Sequence, residues 1–314
     1  MREWIPLWII ETKGLVKFFG DVVALDGLDL RVPKGVSGFV GPNGAGKTTV
    51  IHILLGLLKA DFGEAYVFNQ DCWKNSYEIR SRVGVLLEDP SYPKSFTAER
   101  YLEFVAKIYE VDQSMFKVKE LLRDVDLYWA RNRKIGSFSA GMLQRLGLAK
   151  ALIGEPELVI LDEPTANLDP IGRMKLLEKI RELWRDKNVN FFISSHILPE
   201  LEEICSWISI INEGVIVDQG PIAELAKKYT PCEYKLEVEN DEDLLVKRLN
   251  DLEFVEAIFV EGGKIICRVR DANRFCREVP RIVTELNLSL RKFQPSYGVL
   301  MEVYKKHVKD EESY

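Results

Sequence analysis

The run Gly41-Pro42-Asn43-Gly44-Ala45-Gly46-Lys47-Thr48-Thr49 fits G-x-x-x-x-G-K-[ST] and restricts the fold more than any other stretch of the chain. Such a loop works only between a strand that stops at a sheet edge and a helix that starts at once. The glycines let successive backbone N–H groups turn inward onto phosphate oxygens, and the helix adds the positive end of its dipole. The flanks meet that requirement. Val36-Ser37-Gly38-Phe39-Val40 reads as a short buried strand, and apolar residues recur at helical spacing from Lys47 to Leu58. The expectation is an α/β domain holding a nucleotide. Lys47 would reach the β- and γ-phosphates, the Thr48 hydroxyl would ligate magnesium, and Thr49 would bond a phosphate nearer the ribose.

A second buried strand, Leu158 to Leu161, runs into Asp162-Glu163-Pro164. Its carboxylates then fall at the carboxyl end of a strand, where open α/β sheets bind ligands. Asp162 would hold magnesium, and Glu163 could polarise an attacking water. Asn190 to Ile193 reads as another fully buried strand, and helical patterns alternate with strands as far as about Tyr229. After Lys228-Tyr229-Thr230-Pro231 the pattern changes to half-exposed strands and two amphipathic helices. Strands at Tyr234 to Val238, Ile258 to Val260, Ile265 to Val269 and Leu288 to Leu290, with helices at Leu244 to Leu252 and Phe275 to Leu286, give the order β-α-β-β-α-β. That predicts a small ferredoxin-like α+β domain over 231–314, behind a first domain over 1–230.

Composition narrows the function. Lys and Arg total 43 against 49 Asp and Glu, a net charge of -6, so no basic surplus advertises nucleic acid. The cysteines at 72, 205, 232, 267 and 276 contain no CxxC pair, which argues against a zinc site or disulfide framework and suits a reducing compartment. The apolar start, Trp4 to Ile10, is too short for a secretory leader, and no apolar run approaches a membrane span. Any membrane-spanning partner is therefore expected to be another chain.

A third element lies between the first two. Phe138-Ser139-Ala140-Gly141-Met142 resembles the signature motif of the ATP-binding cassette (ABC) ATPases, Leu-Ser-Gly-Gly-Gln, departing at three of five places and keeping Ser139 and Gly141. Physically, Ser139 can cap a helix from about Ala140 and make a second anion site. Other stations follow in family order over about residues 9–230. Phe19 falls where the family stacks an aromatic on adenine. Glu88, after Val83 to Leu87, occupies the Q-loop position with a carboxylate in place of glutamine. Asn167-Leu168-Asp169 resembles the D-loop, and His196, after Ile193-Ser194-Ser195, the switch histidine.

The resemblance implies a cassette with a mixed-sheet core and a helical subdomain at about 90–155, binding ATP and Mg2+. The implied ATP contacts are Phe19, Gly41 to Thr49, Glu88, Ser139, Ala140, Gly141 and Asp169. Thr48, Asp162 and Glu88 are the implied metal ligands, and Glu163, His196 and Lys47 the implied catalytic groups. It further implies a head-to-tail dimer with a second nucleotide-binding subunit, expected to be a second copy, and export through separate transmembrane permease subunits, with the chain peripheral on the cytoplasmic face of the cell membrane. Pro90 to Ile135 is where the family docks that partner, although Tyr92, Phe96 and Tyr101 fit ordinary core equally well. Pro295 to Tyr304 resembles the closing helix of exporter ATPases. Residues 231–314 read either as a regulatory or dimer-stabilising module or as a structural cap. Two other functions fit less: a soluble cassette acting on nucleic acid or ribosomes, and an ATP sensor that scarcely hydrolyses.

Overall fold

A computed structural model of the protein describes residues 8–112, 114–229 and 233–296. The element order is β1 (Ile10–Phe19), β2 (Val22–Leu28), β3 (Arg31–Val32), β4 (Val36–Val40), α1 (Lys47–Leu54), β5 (Phe62–Val67), β6 (Gln70–Asp71), α2 (Ser76–Arg82), β7 (Val83–Leu86), α3 (Ala98–Ile108), α4 (Ser114–Asp124), α5 (Ala140–Ala151), β8 (Leu158–Asp162), α6 (Pro170–Lys187), β9 (Asn190–Ser195), α7 (Leu198–Ile204), β10 (Trp207–Asn212) and β11 (Val215–Pro221). There follow α8 (Ile222–Lys228), β12 (Glu233–Val238), α9 (Glu242–Asn250), β13 (Val255–Glu261), β14 (Lys264–Val269), α10 (Ala272–Glu285) and β15 (Leu290–Pro295). The chain divides into two compact units, Met1–Ile222 and Ala223–Tyr314.

In the first unit a sheet of order β11-β10-β4-β9-β8-β7 is parallel throughout except for its edge strand β11. Strands β4 and β8 are buried end to end and β9 from Phe191 onward, as their continuous apolar runs require when both faces are covered. Phe39 and Phe192, neighbours across β4 and β9, stack with centroids 5.3 Å apart. A second sheet, β2-β1-β5-β6 with β3 on β1, is antiparallel. The two sheets share one core, in which Leu15, Leu25 and Val67 lie with Phe39, Ile51 and Ile160.

Parallel pairing sets the carboxyl ends of β4, β8 and β9 side by side, with Asp162 opposite Ser194 and Val40 opposite Ser195. Helix α5 packs on β7 at Gly84, where a Cβ would stand 1.9 Å from the Ala151 carbonyl oxygen. Helix α1 is shorter than the expected Lys47–Leu58 run. It stops at Leu54 because Gly56 turns left-handed (φ 63°), and the N–H groups of Leu57 and Leu58 fold back to the His52 carbonyl.

Of the aromatic residues weighed between docking and core, Tyr92 and Tyr101 pack edge to face at 5.6 Å, and the Tyr92 hydroxyl donates to the Leu143 carbonyl of α5. Both are partly buried. Exposed apolar side chains of the helical segment include Phe104 and Ile108 on α3, Met115 and Phe116 on α4, and Tyr109 and Trp129.

In the second unit the sheet order is β13-β14-β12-β15, every neighbour antiparallel. Its core gathers Tyr234 and Leu236 of β12, Leu245 and Leu249 of α9, and Phe275, Val279 and Ile282 of α10. The last strand runs Leu290–Pro295, later than the expected Leu288–Leu290. Asn287 ends α10 in the left-handed region (φ 52°), and the strand proper is an edge whose charged residues Arg291 and Lys292 hide it from a hydropathy reading. The apolar residues Trp4 to Leu7, Cys232, and the 295–304 helix beyond Ser296 lie outside the described residues.

Candidate functional site

Between β4 and α1 the Gly41–Thr49 loop wraps so tightly that glycine is required at two points. A Cβ on Gly41 would stand 2.3 Å from the Ile211 carbonyl oxygen. Gly46 precedes α1 with φ 104°, and a Cβ there would stand 2.7 Å from the Ala24 carbonyl oxygen. The loop therefore seats on β2 and β10, and a cleft of ≈ 330 Å³ opens over it. Its walls are Ala24, Asn43, Gly44, Gly46, Lys47, Thr48, Thr49, Glu88 and Glu163. Pro42 and Ala45 serve behind the wall, the Ala45 N–H donating to the Pro42 carbonyl at 3.3 Å and its own carbonyl accepting from Gly214.

Lys47 is buried. Its Nζ donates to the Gly41 carbonyl at 2.8 Å and the Pro42 carbonyl at 3.0 Å, and stands 3.3 Å from Oε1 of Glu163. Oε1 accepts no hydrogen bond, so its company is that ammonium alone. The other carboxylate oxygen, Oε2, lies 2.8 Å from Nδ1 of His196, whose ring remains 46% exposed. A carboxylate this deep is tolerable only with such partners. Glu163 also holds a left-handed backbone (φ 47°), strained for a residue with a Cβ, and its N–H is shared between the Ser194 carbonyl and hydroxyl oxygens at 3.2 and 3.0 Å.

Asp162 sits beneath, fully buried. Its Oδ2 accepts from the Thr48 hydroxyl at 3.0 Å, and its Oδ1 accepts from the Ser194 hydroxyl. Ser194 thus ties the Asp162 carboxylate and the Glu163 backbone to β9. The only signal for it in the sequence is that two serines close an otherwise apolar strand. Nothing in the sequence marks Ala24, which reaches the cleft from β2.

The remaining residues stand away from this cleft. Ser139 caps α5, its hydroxyl oxygen accepting from the Met142 N–H at 3.3 Å, with Ala140 and Gly141 opening the helix beside it. Asp169 caps α6, accepting from the Gly172 N–H at 2.7 Å. Phe19 closes β1 opposite Val22, half-exposed, with the Lys17 ammonium 5.7 Å from its ring centre. None of the five lines the cleft within one chain.

The architecture can hold a polyanion. It offers one buried cation and a helix N-terminus behind a glycine-rich loop, and next to them a carboxylate–imidazole pair suited to a proton or a water. No helix among the described residues is long and apolar enough to cross a membrane.

Comparison with known proteins agrees with this chemistry. The ABC transporter family profile matches residues 25–166. The bacitracin transport ATP-binding protein BcrA of Bacillus licheniformis is 39% identical over 246 residues, 78% of this chain and 80% of that protein. BcrA of Enterococcus faecalis is 32% identical over 303 residues, 95% and 96% of the two chains. In structure, the ADP conformation of an ATP-binding cassette of an ABC transporter superposes with a TM-score of 0.62 at 27% identity, covering 71% of this chain and 94% of that one. With the phosphate loop and the two strand-end carboxylates inside residues 25–166, and a relative 32% identical over 95% of the chain, the chain belongs to the ABC transporter family as an ATP-binding, ATP-hydrolysing cassette.

Proposed function

We propose that the chain powers export as the ATPase subunit of a transporter whose membrane-spanning permease subunits are separate polypeptides. The observation that carries this is the meeting of buried Lys47 and Glu163 in the cleft over the Gly41–Thr49 loop, with the exposed ring of His196 against Glu163. Bacitracin transport is what the names of two relatives ascribe to them. The charge balance supports a protein partner over nucleic acid.

Lys47 holds the β- and γ-phosphate oxygens and neutralises charge that develops on them. Glu163 accepts a proton from water and orients it for in-line attack on the γ-phosphorus, while His196 braces that carboxylate and faces the γ-phosphate. Mg2+ fits the donors present. Among the described residues no cluster of three acidic, His or Cys groups could cage an ion alone, while the Thr48 hydroxyl, Asp162 and Glu88 supply a few oxygens beside the cleft. Magnesium is bound in that manner, with substrate phosphates and waters completing its shell. When bound, it supplies charge neutralisation across the β- and γ-phosphates. Glu88 in the Q-loop position adds a negative charge there and makes the site more dependent on the cation.

Ser139, Ala140, Gly141 and Asp169 lie outside the cleft of their own chain, which supports a head-to-tail homodimer in which each copy closes the other's site. Phe19 is free to stack on adenine. Phe104, Ile108, Met115 and Phe116 offer the permease an apolar face, so the chain works on the inner surface of the membrane. The β-α-β-β-α-β order after Thr230 supports a ferredoxin-like accessory domain, serving as a regulatory or dimer-stabilising module or as a structural cap.

Magnesium-dependent ATP hydrolysis, followed against protein concentration, tests the reading. Turnover should rise more steeply than linearly, and Glu163→Gln should lose about 10²–10⁴-fold in kcat while still binding ATP and dimerising with it. Strictly linear turnover that ignores Glu163→Gln would reject it.

A further inference from the structure

The loop that begins at Glu163 is fastened to the helix after His196 by a single carboxylate. Between Glu163 and Asp169 the backbone makes two consecutive turns, the Ala166 N–H donating to the Glu163 carbonyl at 3.0 Å and the Leu168 N–H to the Thr165 carbonyl at 3.2 Å. Left-handed conformations at Glu163 (φ 47°) and Asn167 (φ 62°) fix its bends. Its central side chain, Thr165, is buried, and its hydroxyl donates to Oε2 of Glu200 at 2.6 Å. The second oxygen of Glu200, Oε1, accepts from Nη1 of Arg173 at 3.3 Å, and Nε of Arg173 donates to the Leu168 carbonyl at 2.9 Å. Asp169 caps the helix that carries Arg173.

Glu200 therefore grips the loop at its middle directly and near its end through Arg173. It belongs to α7, which starts at Leu198, two residues beyond His196. Its side chain is 11% exposed, so these charge-assisted bonds are largely shielded from water. Glu200 is not part of the cleft wall.

We propose that Glu200 is a positioning residue for ATP hydrolysis. It locks the Glu163–Asp169 loop to the His196 segment, so that displacement of Asp169 at the surface is transmitted to the 2.8 Å contact between Glu163 and His196. The inference rests on the hydrolytic reading above. Because Lys47, Thr48 and the loop amides are untouched by this link, its loss acts on the placement of Glu163 and not on nucleotide binding.

Steady-state hydrolysis by the full chain with ATP and Mg2+ tests it. Glu200→Ala should lower kcat about tenfold or more and leave the KM for ATP within about twofold. Thr165→Val, of nearly the same shape, should lower kcat in the same sense and decides the matter where Glu200→Ala fails to fold. The double variant should be no worse than Glu200→Ala alone, since Glu200→Ala already breaks the bond to Thr165 that Thr165→Val removes. Native kcat in Glu200→Ala, a parallel rise in KM, or losses that multiply in the double variant would each overturn the inference. The controls separate it from its foundation. Absence of turnover in the native chain, or turnover indifferent to Glu163→Gln, overturns the hydrolytic reading and the inference with it. Turnover abolished by Glu163→Gln but unchanged by Glu200→Ala overturns the inference alone.

Discussion

In the second unit, the described side chains that are buried beneath the sheet are apolar or aromatic: Tyr234, Leu236, Ile265, Cys267, Phe275 and their neighbours. The first unit has an apolar core of the same kind, yet it also buries Lys47, Asp162, Glu163, Thr165, Ser194 and Ser195, all at the carboxyl ends of β4, β8 and β9 or just beyond. Similar building elements thus end in opposite ways. Burying a charge costs more than burying a methyl group gains, so it persists only where partners are built in and where chemistry repays it. The contrast places the buried charges of the described residues at the strand ends of the first unit.

Breaking the contrast at its centre has the largest expected effect. Lys47→Ala removes the one buried cation facing Glu163 and should cost about 10³-fold in kcat/KM, about 4 kcal/mol, measured by phosphate release; a loss below tenfold would show that the cation does not face the reacting phosphates. Next comes the apolar unit. Phe275→Ala empties its core and should destabilise it by about 3–4 kcal/mol, read as faster hydrogen exchange over 233–296 with residues 36–54 unchanged. Equal acceleration in both would mean that the two cores melt together. Gly84→Ala sharpens the comparison from the other side. A methyl there meets the Ala151 backbone, so the first unit should lose about 2 kcal/mol, seen as a lower Tm.

The smallest effect concerns thiols. Burial pushes Cys72 and Cys267 up to about 12, and Cys205 higher still, so at pH 8 these stay protonated and inert while exposed Cys276 alkylates. Peptide mapping after iodoacetamide should find Cys276 modified before Cys72, Cys205 and Cys267, which label only in denaturant; labelling of Cys267 at the rate of Cys276 would contradict its burial.

How legible the site was depended on whether a residue's role shows in local spacing. Gly41 to Thr49, Asp162, Glu163 and His196 each close a recognisable strand, and parallel pairing brought most of them to one cleft. Ser194, Thr165, Arg173 and Glu200 carry no such mark, because their bonds join residues separated by 27 to 35 positions and depend on how α6 and α7 pack. The edge strand β15 was placed too early for a related reason. An edge has no need to look apolar, and its charges are the device that keeps it unpaired. The choice between docking face and core at Tyr92 and Tyr101 likewise turned on α5, whose carbonyl takes the Tyr92 hydroxyl.

The contact between Lys47 and Glu163 has one further consequence. The cation already has an internal counter-anion at 3.3 Å, so the cleft is not an empty positive hole awaiting a phosphate. Under the proposed function, a triphosphate would enter by exchange, displacing the carboxylate from the ammonium, and its affinity would be the difference between two ion pairs and not the strength of one. The same displacement would leave Glu163 to His196 alone when substrate is present.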